Sequence, residues 1–338
     1  HVVFVAGGIG RGDMIAAYYK RLTHPDREIQ LAAARAWSIW EGSTLSLVQD
    51  PERVKLFGAD ANKAATLKLA NPIASDLSDM RPSLLPGLLK AAQRNADRGF
   101  GDVALFEVGQ VFADDTPAGQ SIAATSLRRG LASTRGVGRH WDGGARGVDL
   151  FDAKADAMAL LDALGVPTGG LQIVPGGPAW FHPGRSATLR FGPKNVIGAF
   201  GELHPRALAA MGAKGPVVAF EITLDALPAP KAKPTKARPK LALSEFQPVS
   251  RDFAFVVDRG VAAGDLVKTA QAADRALIES VDVFDVYEGA GVGDGKKSIA
   301  LAVTLQPREK TLTDAEIDAI GAKIVAEIAK RYGATLRG

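Results

Sequence analysis

Ser298-Ile-Ala-Leu-Ala-Val-Thr-Leu-Gln306, followed by Thr313-Asp-Ala-Glu-Ile317, is the stretch from which the fold is read. Ile299, Leu301, Val303 and Leu305 alternate with small or polar residues, the period of a strand with one buried face. Behind the Thr313-x-x-Glu316 capping box, Ile317, Ile320, Ile324 and Ile328 recur at steps of three and four, which is the stripe of an amphipathic helix. Gly333 stands where a left-handed residue closes such a helix. Working outward, the pattern predicts a strand over Phe253–Val257, a helix over about Ala263–Ala273, a strand over Ile278–Tyr287 and a short last strand near Ala334–Leu336. The order βαββαβ closes naturally as a ferredoxin-like split βαβ domain.

Upstream of this domain, residues 226–244 hold Pro228, Pro230, Pro234 and Pro239 among Lys231, Lys233, Lys236, Arg238 and Lys240, with no acid. Such a composition predicts an extended, self-repelling connector and places the clearest domain boundary there. Between Asn71 and the connector, helices and strands alternate. A helix is predicted from about Leu84 to Asp97 and another from about Phe151 to Leu164. Strands are predicted over Val103–Phe112, Ala187–Phe191, Val196–Gly201 and Val217–Leu224. Residues 11–54 read as helices, from the spacing of Tyr18, Leu22, Ile29, Ala33, Ala36, Trp37 and Trp40. The chain is thus expected to be α+β, with a helical segment at 1–54, a sheet domain at 55–227, the linker at 228–244 and the ferredoxin-like domain at 245–338.

Composition limits the chemistry. The chain has 338 residues, 46% hydrophobic and 23% charged, and a mean hydropathy of +0.03, which is globular composition with room for more than one core. No apolar run approaches the roughly 18 residues of a membrane span. The absence of cysteine excludes disulfide scaffolds, thiolate-held metals and thiol catalysis, and suits a cytoplasmic location. The first residue is His1 rather than Met, and no leader pattern follows, so the sequence is expected to be a piece of a longer chain. The 41 basic residues nearly balance 37 acidic ones, and residues 248–338 carry 12 basic against 14 acidic. Only a local basic patch could therefore attract nucleic acid.

Gly289-Ala-Gly-Val-Gly-Asp-Gly-Lys-Lys-Ser298 has the texture of a phosphate-binding loop but fails its register: Ala290 stands where the opening glycine belongs and Lys297 where a Ser or Thr would hold a metal. A strand, not a helix, follows it, so the segment is read as a hairpin turn. The histidines His1, His24, His140, His182 and His204 form no His-Glu-x-x-His pair, and no metal site is expected. His182 and His204 precede prolines, where turns and helix starts are made. No Gly-x-Ser-x-Gly elbow occurs, which removes the anchor of hydrolase chemistry. Arg251, Lys296, Lys297, Arg308, Lys310, Arg331 and Arg337 are the basic residues that could meet phosphates.

Asn71-Pro-Ile-Ala-Ser-Asp-Leu-Ser-Asp-Met-Arg-Pro-Ser-Leu-Leu-Pro-Gly-Leu-Leu89, then Asn95-x-x-Arg98 and Leu105-Phe-Glu-Val-Gly-Gln-Val-Phe112, resemble the bacterial phenylalanyl-tRNA synthetase β subunit. Phe151-Asp-Ala-Lys154, Phe181-His-Pro-Gly-Arg-Ser-Ala187, Gly201-Glu-Leu-His-Pro205, Phe284-Asp-Val-Tyr287 and Gly295-Lys-Lys-Ser298 follow in the same order, so the resemblance covers about residue 55 to the end. It implies a class II synthetase-like antiparallel sheet domain without catalytic residues, packed on a catalytic α subunit in an α2β2 heterotetramer. Ala113, after Gly109-Gln-Val-Phe112, agrees, because a catalytic motif would offer an arginine to the ATP phosphate there. It further implies a ferredoxin-fold domain that contacts the anticodon stem of tRNA(Phe). ATP and magnesium would serve the whole enzyme, with no cofactor held by this part. The match implies Arg251, Lys297 and Arg337 first as tRNA-binding residues, Lys296, Arg308 and Lys310 of the basic set are expected to join them, and Phe284 and Tyr287 are expected to pack rather than stack.

Gly12-Asp-Met-Ile-Ala-Ala-Tyr-Tyr-Lys-Arg-Leu-Thr23 and Ala32-Ala-Ala-Arg-Ala-Trp-Ser-Ile-Trp-Glu-Gly42 instead resemble the helical cap of proline iminopeptidase. That likeness implies a second possibility: a chimeric or truncated product with a peptidase-cap remnant, acting only as a non-catalytic RNA-binding module.

Overall fold

In a computed structural model, the described residues are 48–49, 51–58, 65–72, 75, 77–132, 146–228 and 244–337. Most of the helical reading of 11–54, and most of the connector, lie outside them. The chain divides into two compact units between Lys233 and Pro234, and each is described by itself.

The first unit opens with β1 (Val48–Gln49), α1 (Pro51–Phe57) and β2 (Asp79–Met80), which pairs with β1. Then come α2 (Leu85–Asp97), β3 (Val103–Phe112), β4 (Gln120–Arg129) and α3 (Leu150–Ala163). β5 (Gln172–Pro175), β6 (Phe181–Arg190), β7 (Val196–Leu203), α4 (Pro205–Ala210) and β8 (Val217–Thr223) complete it. Six strands form one antiparallel sheet in the order β3-β4-β8-β7-β6-β5.

Alternation along β8 shows why both faces of this sheet are covered. Val218, Phe220 and Ile222 pack with Ala153, Ala157, Leu160 and Leu161 of α3, whereas Val217 and Ala219 join Leu85, Leu88 and Leu89 of α2, Phe57 of α1 and Trp180. Each such buried Leu or Phe contributes about 1.5–3 kcal/mol relative to exposure. α3 starts where Asp149 accepts from the amides of Phe151 and Asp152 while the Asp152 carboxylate accepts from the Asp149 amide. Arg146 lies 2.6 Å from Asp152 and holds its pKa below the usual carboxylate range.

Two strands of this sheet, β4 and β5, were not expected from the sequence, and β6 begins earlier than predicted, at Phe181. A register shift between Phe181 and Ser186 takes up the His182-Pro-Gly-Arg185 bend that hides the start of the strand.

The second unit is β9 (Val249–Asp258), α5 (Ala263–Ala273), β10 (Ile278–Tyr287), β11 (Lys296–Leu305), α6 (Asp314–Tyr332) and β12 (Thr335–Leu336). Its strand order is β10-β11-β9-β12, all antiparallel, the ferredoxin-like closure. Phe255, Val257, Ile299, Leu301, Val303 and Leu305 bury one face against Leu266 and Ala270 of α5 and Ile317, Ile320, Ile324 and Ile328 of α6. The Thr313–Glu316 capping box forms, and Gly333 closes α6 at φ 60°. The glycine-rich segment is the β10–β11 hairpin loop: Gly291, Gly293 and Gly295 take φ near +87°, +91° and +73°, and Tyr287 pairs with Ser298 across it.

Candidate nucleic-acid interface

Strand alternation sends every second side chain of the four-stranded sheet away from α5 and α6. On that other face the register sets Tyr287, Ser298, Val256 and Thr335 in one row and Asp285, Ala300 and Ala254 in the next. None of these residues belongs to the helix-packed core. The Arg337 amide donates to the Ala254 carbonyl at 2.7 Å, fixing the chain end beside β9. From one edge of the sheet the Arg337 guanidinium reaches over the Tyr287 ring on the opposite edge, 5.5 Å from its centroid. Three strand spacings, about 14 Å, separate those edges, and only small side chains between them allow the two long ones to meet. The Tyr287 hydroxyl donates to the Ala290 carbonyl at 3.3 Å, and a Cβ on Gly289 would lie 2.7 Å from that hydroxyl.

The expectation that Phe284 and Tyr287 pack is corrected here. Phe284 is 59% exposed and Tyr287 39%. A register shift between Val283 and Asp285 lifts Phe284 out of the alternation, and pairing with Ser298 rather than Ile299 puts Tyr287 on the face without helices. A base can stack on such a ring, with Arg337 supplying positive charge beside it.

The six basic residues proposed from sequence do not form one patch. Lys296 pairs with Asp258 and shares the open face with Arg337. Lys297 pairs with Val257 and Arg251 with Val303, so both stand on the helix side. Arg251 there lines a groove of about 470 Å³ with Phe253, Gly321 and Leu336. Arg308 and Lys310 follow the far end of β11, and the strand from Lys297 to Leu305 spans about 27 Å. Lys310 lies 2.6 Å from Glu316, whose carboxyl it holds down to about 2, with help from the Thr313 amide and hydroxyl. Arg308 donates to the Ala276 carbonyl at 3.4 Å. Reasoning on basic residues missed Tyr287, Asp285 and Ser298 as members of the open face. The parity of β10 against β11 was the available signal.

In the first unit the strand that carries Leu105-Phe-Glu-Val-Gly-Gln110 is occupied by its own chain. Arg81 is 5% exposed, donates to Glu107 at 2.7 Å and to the Gln110 carbonyl at 2.9 Å, and lies where a Cβ on Gly109 would come within 2.4 Å. Beside it one Glu221 oxygen accepts from the Ser83 hydroxyl, the Leu84 amide and the Thr125 hydroxyl at 2.8–3.0 Å. Glu221 as a residue is half-buried, but enclosure of its carboxyl pushes the pKa up against the pull of those donors and of Arg81. These groups tie the start of α2 to the sheet. Among the described residues no cluster of three or more His, Asp or Glu side chains could hold a metal ion, and no helix is long and apolar enough to cross a membrane.

Comparison with known proteins agrees with this architecture. Residues 27–224 match the family model of the phenylalanyl tRNA synthetase beta chain CLM domain, and residues 244–337 that of the ferredoxin-fold anticodon binding domain. The phenylalanine–tRNA ligase beta subunit of Bradyrhizobium diazoefficiens is 64% identical over 283 residues, 84% of this chain and 35% of that protein. The corresponding subunit of Rhodopseudomonas palustris is 59% identical over 90% of this chain and 38% of its own length. That of Brucella suis is 51% identical over 331 residues, 98% of this chain and 40% of its own. The chain thus spans between a third and two fifths of the relatives it matches. With the family model starting at residue 27 and the Brucella match taking in 331 residues, the family likeness reaches into the segment compared above with a peptidase cap. Family model, fold and sequence identity agree: the chain belongs to the phenylalanyl-tRNA synthetase beta-chain family and carries that family's ferredoxin-fold anticodon-binding domain.

Proposed function

We propose that this chain is the part of a phenylalanine–tRNA ligase beta subunit that supports ATP-dependent aminoacylation of tRNA(Phe) without performing the chemistry. In this reading the first unit is a scaffold that packs on a catalytic alpha subunit in an α2β2 assembly, and the second unit contacts the tRNA anticodon stem in the cytoplasm. The observation that carries it is the helix-free face of the four-stranded sheet, where Tyr287 and Arg337 meet. An exposed ring offers stacking to an unpaired base, and the adjacent guanidinium and Lys296 offer contacts to the backbone. Asp285, exposed in the next row, adds an acceptor that could read a base edge.

A scaffold role for the first unit is supported by the commitment of Arg81 to Glu107 and Gln110: the cation nearest the motif strand is turned inward and held there. A site that stabilises phosphoryl charge needs a cation free to meet it. ATP and magnesium are assigned to the whole enzyme rather than to this chain.

The test is co-expression with a bacterial alpha subunit, native mass spectrometry of the product and tRNA(Phe) binding with wild type and Tyr287→Ala. A stable complex whose tRNA affinity falls in the variant supports the proposal. The alternative, an RNA-binding module with a peptidase-cap remnant, predicts tRNA binding with no complex. Equal tRNA affinity in both chains would reject the open face as the contact.

A further inference from the structure

We infer that His182, His204 and Arg206 form a second phosphate-contact site, on the first compact unit, which takes a phosphodiester of the same RNA; this rests on the tRNA-binding reading above. Phe181 of β6 pairs with Leu203 of β7, and because the strands are antiparallel His182 and His204 flank that rung diagonally, one on either side. Their ring centroids are 6.1 Å apart and the planes are inclined by 23°. The Nδ1 of His182 accepts from the Gly184 amide, and that of His204 from the Arg206 amide, both at 3.1 Å. A ring nitrogen that accepts a hydrogen bond carries no proton, so each neutral ring holds its proton on Nε2. No described residue accepts from either Nε2–H.

This tautomer decides the chemistry. A metal ion would need the Nε2 lone pair, which the proton occupies, so the pair suits a ligand made of acceptors. Each Nε2 lies about one ring radius from its centroid, so the two donors are roughly 4–8 Å apart, a span that the oxygens of one phosphate can bridge at bond lengths near 2.9 Å. The bend and the helix cap need only an acceptor, which Asp, Asn or Ser supplies on a shorter side chain. Imidazole does the same work and retains a donor at its other end. Around the pair, Glu202 is taken by Nε and Nη2 of Arg185, at 2.5 and 3.0 Å, while Arg206 is exposed with no carboxylate partner among the described residues. The surroundings therefore offer donors and net positive charge, which matches a phosphodiester.

The experiment uses the full chain and a tRNA(Phe) transcript, with the double variant His182→Asn/His204→Asn, Arg206→Ala and, as a reference for the open face of the other unit, Tyr287→Ala. Asn keeps an acceptor near the Nδ1 position and shortens the reach of the donor. The double variant is expected to lower tRNA affinity about threefold to tenfold, because two hydrogen-bond donors are withdrawn. Arg206→Ala is expected to flatten the salt slope by about 0.7–0.9. Unaltered affinity in both, with Tyr287→Ala still weakening the complex, overturns the second site and leaves the open face standing; no change in all three overturns the RNA reading itself. Inorganic phosphate alone perturbing the imidazole resonances without any RNA effect also overturns it, and assigns the donors to a small anion. Loss of alpha-subunit assembly with RNA affinity intact does so in favour of a protein carboxylate. Independently of the variants' folding, long-range 1H–15N spectra of the wild type should show both rings as Nε2–H tautomers whose signals move when tRNA is added. A proton on Nδ1 in either ring would overturn the assignment.

Discussion

The two sheets of this molecule differ in how many faces they bury, and that difference separates holding from touching. The six-stranded sheet packs Phe220 and Ile222 on one side and Val217 and Ala219 on the other, so almost nothing on its central strands is left to meet a ligand. The four-stranded sheet packs Phe255, Ile299 and Leu301 on one side only. Its other side buries Ser298 and Ala300 in the middle but keeps Ala254, Ala302 and Thr304 only partly covered, with Tyr287 exposed at the edge. A sheet buried twice is a scaffold; a sheet buried once retains a surface.

The largest effects should come from breaking that contrast in the cores. Phe220→Ala and Leu127→Ala, on opposite faces of the six-stranded sheet, should each destabilise the first unit by about 2–5 kcal/mol, and Phe255→Ala should do the same to the second. Ala302→Ser and Thr304→Ala, on the open face, should stay within about 0.5 kcal/mol. Denaturant unfolding followed separately for each unit checks this. A cost of several kcal/mol for an open-face substitution would mean that another part of the chain covers that face.

Next in size are the effects on the tRNA contact proposed for the open face. Tyr287→Ala should weaken tRNA binding by about 1–3 kcal/mol, read by titration at fixed salt. Arg337→Glu should weaken it and also flatten the dependence of log K on log salt by about 0.7–0.9 or more. Lys310→Glu should leave the slope nearly unchanged, since Lys310 is already paired with Glu316. Equal slopes for the Arg337 and Lys310 variants would sink the claim that position on the sheet, rather than charge alone, selects the contacts.

The same contrast explains what could be read from the sequence. The second unit was legible almost element by element, because a one-sided sheet imposes strict alternation and its helices carry a single stripe: Ile317, Ile320, Ile324 and Ile328 are all buried. β4 was not legible. In Gln120-Ser-Ile-Ala-Ala-Thr-Ser-Leu-Arg-Arg129 small residues occupy both faces, since Ala123, Ala124, Thr125 and Leu127 are all buried in a central strand covered twice. The site was less legible than the fold. Tyr287 and Arg337 are fifty residues apart, and only the strand order β10-β11-β9-β12 brings their side chains over one another. Basic residues were visible one at a time, but the face each occupies depends on register, which a list of charges does not contain.

The smallest effect, and a sharp one, is a difference in sign between two carboxyls. Glu221, enclosed between α2 and the six-stranded sheet, has its pKa raised by burial from an ordinary 4.5, so the folded chain holds its proton more tightly than the unfolded one. Its contribution is present in full below pH 4.5 and is lost as pH rises through the folded value. Glu316, exposed at the start of α6, has its pKa lowered from 4.5 to about 2, first by Lys310 and then by the Thr313 amide and hydroxyl. Its contribution is present above pH 4.5 and is lost as pH falls through about 2. Titrating the stability of each unit should therefore show opposite slopes. Glu221→Gln should remove the loss on raising pH while sparing the fold, because all three donors meet one oxygen that an amide oxygen can replace. Glu316→Gln should remove only the loss at low pH. If Glu221→Gln left the pH profile of the first unit unchanged, its carboxyl would be in contact with solvent, and the twice-covered sheet would have an opening at the start of α2.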